Sequence, residues 1–302
     1  DVGIASSNST DTLAIVGDGI IVTFTAIEAI GTKVVTFSSA GVAINASRVS
    51  YVNTTGNTWT ASYTAVGSDT DGPVTYSIVV GDLAGNPGVA VTTGTGSVTF
   101  DDTDPARTSV IIASNNSLVT HAKSGNVVTV ELTTDVAVSQ PVVVFKSGGA
   151  ALNNASGRVI TYTNTNSPNK TEWSAAYTVD AADADGLVSF DIDFSDLAGN
   201  AATTVTSVTD TSSVVVDTTA PTLTSVSIAS NYSTNTQASI NDEITVSFTT
   251  SENIQAPSGA DVVFFSGSDA VADGTTTYTG SGTTWTATYT AHADDTDGLV
   301  SF

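Results

Sequence analysis

One set of words occurs three times in these 302 residues, and that repetition constrains the fold more than any single motif. GIASSNST (3–10) returns as IIASNNSL (111–118) and SIASNYST (227–234). TWTASYTA (58–65) returns as EWSAAYTV (172–179) and TWTATYTA (284–291). DTDGPVTYSI (69–78) returns as DADGLVSFDI (183–192) and DTDGLVSF (295–302), and DLAGN stands at 82–86 and 196–200. Trp59, Trp173 and Trp285 fall 114 and 112 residues apart, so one repeat has the size of one domain. The chain divides into residues 1–105, 106–221 and 222–302. On this alignment the first repeat lacks its first strand, the second is complete, and the third stops before its last strands. Both ends fall out of phase with the repeat, as expected of a window on a longer tandem array. The competing expectation is a missing strand supplied by a neighbouring subunit.

Within each repeat the hydrophobic period is two. Ile20, Val22 and Phe24 alternate with Ile21, Thr23 and Thr25; Val128, Val130 and Leu132 alternate with Thr129 and Glu131; Ile244, Val246 and Phe248 alternate with Thr245 and Ser247. Trp173, Ala175 and Tyr177 form another such row. Turn residues interrupt these runs every 8 to 14 residues, and no segment sustains a helical period. About seven short half-buried strands per hundred residues predict an all-β fold of tandem immunoglobulin-like β-sandwiches.

Charge narrows the partners. Thirty acidic residues face seven basic ones, a net of −23, which disfavours nucleic acid and anionic lipid surfaces. Twenty-five of the acids are Asp and five Glu, a bias toward turns and away from helix faces. The chain has no Cys, which in an extracellular protein would mean that cores, ions or neighbours supply stability in place of disulfides. No apolar run approaches the ~20 residues that span a bilayer.

The stretches DTTAPTLTSVSIASN (217–231), EITVSFTTSE (243–252), TWTATYT, the DTDG loop and DLAGN resemble the Ig-like repeats of large prokaryotic surface proteins. These are the archaeal and bacterial S-layer proteins and the giant adhesins. The resemblance covers essentially the whole chain and implies an extracellular, cell-surface role, with self-association into a lattice or fibre.

The acids that recur at strand ends and linkers are the candidate metal ligands: Asp69 and Asp71, Asp183 and Asp185, Asp295 and Asp297 in the D-x-D-G loops, with Asp101, Asp102, Asp104 and Asp217 in the linkers. Hard carboxylate oxygens paired across a tight turn suit Ca²⁺, which takes six to eight oxygens at about 2.3–2.6 Å. The alternative is that each Asp caps a turn by accepting local backbone amides. DLAGN reads as such a turn, with its Gly left-handed.

Catalysis finds little material. His121 and His292 occupy unrelated places in their repeats, and the first repeat has none. An intramolecular isopeptide bond needs a core Lys, yet residues 222–302 hold no Lys or Arg. The N-x-[ST] sequons are Asn8, Asn45, Asn53, Asn115, Asn154, Asn169 and Asn231. Asn8, Asn115 and Asn231 are read as one equivalent, glycosylatable position. The Trp row reads as core.

Together these features predict a non-enzymatic structural protein of a surface layer or extracellular filament, with Ca²⁺ stiffening the domain junctions. The alternative is the stalk of a giant adhesin.

Overall fold

The computed structural model describes residues 1–151, 159–271 and 275–302. Apart from one 3₁₀ turn at Ala46–Arg48, regular structure among these residues is entirely β. The chain forms two compact units, Asp1–Thr218 with the first two repeats and Thr219–Phe302 with the third. Each repeat has its own hydrophobic core.

The first repeat is a sandwich of two sheets. One has the strand order Val2–Ser6, Gly19–Thr25, Thr58–Thr64, Ser50–Thr55. The other runs Leu13–Ala14, Val98–Phe100, Gly72–Asp82, Ile30–Ser39, Val42–Ala43. All neighbours are antiparallel except Leu13–Ala14, which runs parallel to Val98–Phe100. The opening segment thus starts in one sheet and crosses to the other, pairing there with the last strand. The second repeat repeats this order, with His121–Ala122 parallel to Val215–Val216. This is the two-sheet Greek-key order of the immunoglobulin fold.

The period-two rows become the facing layers of these cores. Gly19–Thr25 alternates buried and exposed along its length, because Cβ atoms on a strand point to opposite faces. The register is the same three times over. Ile20, Val22 and Phe24 oppose Tyr63, Ala61 and Trp59; Val128, Val130 and Leu132 oppose Tyr177, Ala175 and Trp173; Ile244, Val246 and Phe248 oppose Tyr289, Ala287 and Trp285. A Phe from the opposite side of the core meets each Tyr: Phe37 with Tyr63 at 4.9 Å, Phe145 with Tyr177 at 4.8 Å and Phe264 with Tyr289 at 5.6 Å between ring centroids. The Trp residues pack in or against the cores, and Lys33 places its ammonium 3.9 Å from the Trp59 ring.

Two further ties recur. The hydroxyls of Tyr51, Tyr162 and Tyr278 accept the backbone N–H of Val35, Val143 and Val262 at 2.9, 3.0 and 2.9 Å, fastening one sheet to the other. Ser39, Ser147 and Ser266 are buried and donate at 2.6 Å to the carbonyls of Thr70, Ala184 and Thr296, which anchors each D-x-D-G loop from beneath. At the glycine of the first two loops φ is +138° and +139°, and a Cβ there would sit 2.9 Å from Ala40 Cβ or 2.8 Å from Gly148 Cα. Gly72 and Gly186 are therefore required by both conformation and space.

One expectation about the first repeat needs correcting. The first repeat does possess its first strand: Val2–Ser6 pairs with Gly19–Thr25 as Arg107–Ser114 pairs with Val127–Thr134. The D-x-T-x-P stretch between the first two repeats carries no strand, and the opening strand spans five residues in the first repeat against eight in the others. The third repeat keeps its four-stranded sheet, but its second sheet consists of three two-residue strands, Phe265–Ser266, Asp269–Ala270 and Val300–Ser301. In the second repeat Thr209 and Ser212 hydrogen-bond to the backbone of Val110 and Ile112, which are 0% and 4% exposed. In the third repeat the equivalent Val226 and Ile228 are 39% and 40% exposed.

Candidate functional site

The most constructed polar site lies where the first two repeats meet. Its base is the turn after the first strand. Asn8 Oδ1 accepts the Thr10 N–H at 3.0 Å, an Asx turn that holds the side chain outward. Asn8 Nδ2 then donates to Asp18 Oδ2 at 2.8 Å and, across the junction, to the Ala198 carbonyl at 2.9 Å. Asp18 is itself fixed by the Ile15 N–H, 2.9 Å away.

From the other side comes the second D-L-A-G-N turn. Asp196 accepts the N–H groups of Gly199 and Asn200 at 2.6 and 2.9 Å and the Asn200 amide at 2.9 Å. Gly199 takes the predicted positive φ, +112°, and its α-carbon side faces Ile15. Asn200 Nδ2 also donates to the Asp101 carbonyl at 2.9 Å. Two asparagine amides thus cross the junction in opposite directions, each reaching a carbonyl of the other repeat. Asp196, Ala198 and Asn200 are 5, 5 and 9% exposed.

The first D-L-A-G-N turn shares the two asparagine bonds and has a different environment. Asp82 accepts the Asn86 N–H and amide at 2.8 and 2.7 Å, and Gly85 has φ +93°. Yet Ala84 and Asn86 are exposed and Leu83 is 76% exposed. Hydrogen bonding from Asn86 holds the Asp82 carboxyl below its ordinary range.

The predicted metal ligands are distributed along these loops and used locally. Asp69 accepts the Val66 N–H at 3.0 Å and forms a two-pronged pair with Arg48 at 2.5 and 2.7 Å; the guanidinium bonds are the main reason its carboxyl titrates low. Asp183 accepts the Asp180 N–H at 2.8 Å, and Asp295 accepts the His292 N–H at 2.7 Å and the Tyr289 hydroxyl. Asp71 accepts the Asp102 N–H and Thr103 hydroxyl at 2.9 and 2.8 Å, stitching its loop to the linker. Asp185 does the same for Thr218 at 2.7 and 2.9 Å. Asp101 accepts the Thr103 N–H, and the Asp101 and Asp217 N–H groups donate to the Ala14 and Ala122 carbonyls. Asp102 and Asp104 are exposed in the linker, and Asp297 is exposed in the third loop. Among the described residues no three of Asp, Glu and His come together as a group that could hold a metal ion. The sequence reading that loops and linkers meet at the poles holds for Asp71 with the linker. Burial first, then the neighbouring charges of Asp196, Asp71 and Asp102, push the Asp101 carboxyl upward.

The sequon equivalence needs correcting. Backbone bonding places Ser7, Asn115 and Asn231 together, each N–H reaching the carbonyl of the facing strand, at Gly19, Val127 and Glu243. Asn8 aligns instead with Asn116 and Tyr232, whose N–H groups meet Ser6, Ser114 and Ser230 Oγ. The sequons are therefore one residue out of phase, and the Asn8 amide is engaged in the junction. Asn115 and Asn231 are exposed; Asn154 lies outside the described residues. Sequence reasoning missed Asn8, Asp18 and Asn200 as junction residues. The available signal was that D-L-A-G-N keeps an amide at its end in both copies.

The strand order and this junction define a tandem array of immunoglobulin-like sandwiches. No family model matches the chain, and no curated protein matches it. Among solved structures the chain is similar to the I67–I69 fragment of the titin I-band, at 9% identity and TM-score 0.37, covering 95% of this chain and 88% of that one. It is also similar to a marsupial T cell receptor, at 13% identity and TM-score 0.37, covering 99% and 95%. A third is a complex of Dpr2 Ig1–Ig2 with DIP-Theta Ig1–Ig3, at 11% identity and TM-score 0.28, covering 96% and 90%. No helix among the described residues is long and apolar enough to cross a membrane.

Proposed function

We propose that the chain is a non-catalytic structural element of an extracellular surface layer or filament, in which sandwiches are locked end to end by short polar turns. The observation that carries this reading is the reciprocal amide pair at the first junction, Asn8 to Ala198 and Asn200 to Asp101. A flexible strandless linker, residues 101–106, would leave two sandwiches free to swing. Two opposed hydrogen bonds across a partly buried contact set their angle instead, so the repeat fixes a spacing. The net charge of −23 fits an assembly bathed in counter-ions, and it disfavours pairing between unrelated acidic surfaces.

Calcium enters the proposal as a screening cation for the acids around Asp101 rather than through a coordination set. Purified chain imaged by cryo-EM with calcium or EGTA tests the reading. Ordered sheets or filaments that loosen on chelation are expected, and magnesium at matched ionic strength reproduces part of the effect if screening suffices. Extended monomers in every condition would transfer the chain to the adhesin-stalk reading.

A further inference from the structure

Many of the chain's acids sit in loops and linkers, such as Asp69, Asp71, Asp101 and Asp102, and two of the four-stranded sheets carry none at the centre of their outer faces. In the first repeat the inner strands Gly19–Thr25 and Thr58–Thr64 turn Ile21, Thr23 and Thr25 outward beside Ser62, Thr60 and Thr58. In the third, Thr245, Ser247 and Thr249 stand beside Thr288, Thr286 and Thr284. These side chains are exposed or half-buried. The flanking strands Val2–Ser6, Ser50–Thr55, Leu223–Ser230 and Thr277–Ser281 add no charged residue, and Glu243, where its strand begins, marks the rim. The second repeat departs at two central places. Glu131 takes the position of Thr23 and Ser247, and Glu172 that of Thr58 and Thr284; both are exposed, on neighbouring strands.

These faces lie on the flanks of the sandwiches. The second repeat meets the first at its pole, through Asn8, Ala198 and Asn200, and leaves Thr23 and Thr25 exposed. A net charge of −23 makes copies of the chain repel, most strongly where acids would face each other. On an uncharged sheet two copies can meet with no carboxylate to desolvate. The residues there are also self-complementary, since a Thr hydroxyl both donates and accepts. Thr25 lies 3.0 Å from Thr58 and Thr245 3.2 Å from Thr288, Oγ1 to Oγ1. Each such pair uses one O–H and leaves the other to reach a partner, and β-branched side chains lose little rotamer freedom in doing so. Four strands ~4.8 Å apart, rising ~3.3 Å per residue, give a face of roughly 400 Å². Two such faces together bury on the order of 900 Å², short of the ~1,200 Å² where stable interfaces begin, so one contact is weak and a chain bearing two gains by multiplicity.

We propose that the uncharged outer face of the four-stranded sheet is a lateral contact surface for a second copy of this chain, first repeat on first and third on third, and that Glu131 and Glu172 keep the second repeat out of such contacts. Each contact is two-fold, the same patch meeting itself. This names the contact surface within the assembly reading and rests on that reading.

The test is sedimentation velocity of the full chain over rising concentration at low and high sodium chloride. Thr23→Glu with Thr58→Glu blocks the first face, and Ser247→Glu with Thr284→Glu blocks the third. Both pairs copy the acids that the second repeat already carries at the same places in the same sheet. Hydrogen exchange checks each fold, and Thr60→Glu or Thr286→Glu replaces any pair that loses it. Wild-type mass is expected to rise with concentration and further with salt, because screening weakens the repulsion of the whole chains and costs a neutral contact nothing. Either pair should need roughly tenfold more protein to reach the same mass, and the two pairs together should leave a monomer. Glu131→Thr with Glu172→Thr should lower the concentration needed. A wild-type chain that stays monomeric at every concentration and salt overturns the proposal, as do blocked variants that associate like wild type. Association that salt dissolves overturns it too, since that places the contact between charges. Ordered arrays that persist by cryo-EM with all four substitutions would overturn this contact and leave the assembly reading standing.

Discussion

Replacing Asn200 with Ala, beside Asn86→Ala as an internal control, isolates what docking contributes. Both side chains end the same five-residue turn and donate to the Asp at its start, Asp196 or Asp82, at 2.9 and 2.7 Å. Only Asn200 also reaches a second repeat, through the Asp101 carbonyl at 2.9 Å. Asn86 is exposed, so water replaces its lost bonds and the cost stays at or below about 1 kcal/mol. Asn200 is 9% exposed and Asp196 5%, so its removal strips a donor from a buried carboxylate and a partner from a carbonyl. The sum is about 2–4 kcal/mol. Native-state hydrogen exchange read peptide by peptide separates the two. Amides protected by the junction should exchange roughly 30- to 1,000-fold faster in Asn200→Ala, and those around Asn86 should change less than about tenfold in its own variant. Adding Asn8→Ala should show coupling of at least about 0.5 kcal/mol, because both amides hold one contact. Equal effects of the two single substitutions, or strict additivity with Asn8→Ala, would refute the claim that the turn locks the repeats together.

Burial pushes the Tyr63 hydroxyl from 10.0 up to about 12. The folded state holds this proton more tightly, so the contribution is fully present below about pH 10 and is lost as pH rises to about 12. Tyr63→Phe should remove that alkaline loss in urea titrations and change neutral stability by less than about 0.5 kcal/mol, since the hydroxyl has no hydrogen-bond partner among the described residues. Ser147→Ala removes a fully buried donor and leaves the Ala184 carbonyl unmet, at an expected cost of about 1–3 kcal/mol by equilibrium unfolding. Glycopeptide mass spectrometry of protein from its native source should find Asn8 unmodified, because its amide nitrogen is bonded to Asp18 and Ala198; a glycan there would mean the junction is open.

The fold was legible because the side-chain period on a strand is two, and the chain states that period three times. Ile20, Val22 and Phe24 face inward from parity alone, and Trp59, Trp173 and Trp285 set the repeat length. The same parity extends to Ser39, Ser147 and Ser266, which continue the inward rows after Phe37, Phe145 and Phe264, so a buried hydroxyl needing a partner was readable there and was overlooked. The junction was not legible in this way. Its bonds run from Asn8 to Ala198 and from Asn200 to Asp101, 190 and 99 residues apart, and the choice between them depends on how one sandwich seats on the next. Asp residues attract a metal reading because spacing is visible in sequence and orientation is not. Asp69, Asp183 and Asp295 each turn back to accept an N–H three residues earlier, and that turn-capping pattern needs no ion.

The two copies of D-L-A-G-N also show why the contact is made by amides rather than by the acids that dominate the chain. Asp101 and Asp196 both lie at the junction, and the Asp101 carboxyl is pushed upward first by burial and then by the charges of Asp196, Asp71 and Asp102. A carboxylate on each side would compound that repulsion, and an Arg or Lys would bring selectivity at the cost of ordering a long side chain. An amide carries a donor with no net charge, so Asn8 and Asn200 can cross an acidic interface that ion pairs would leave dependent on salt. In a chain with seven basic residues, neutral donors placed at the ends of rigid turns are the means left for joining one acidic sandwich to the next.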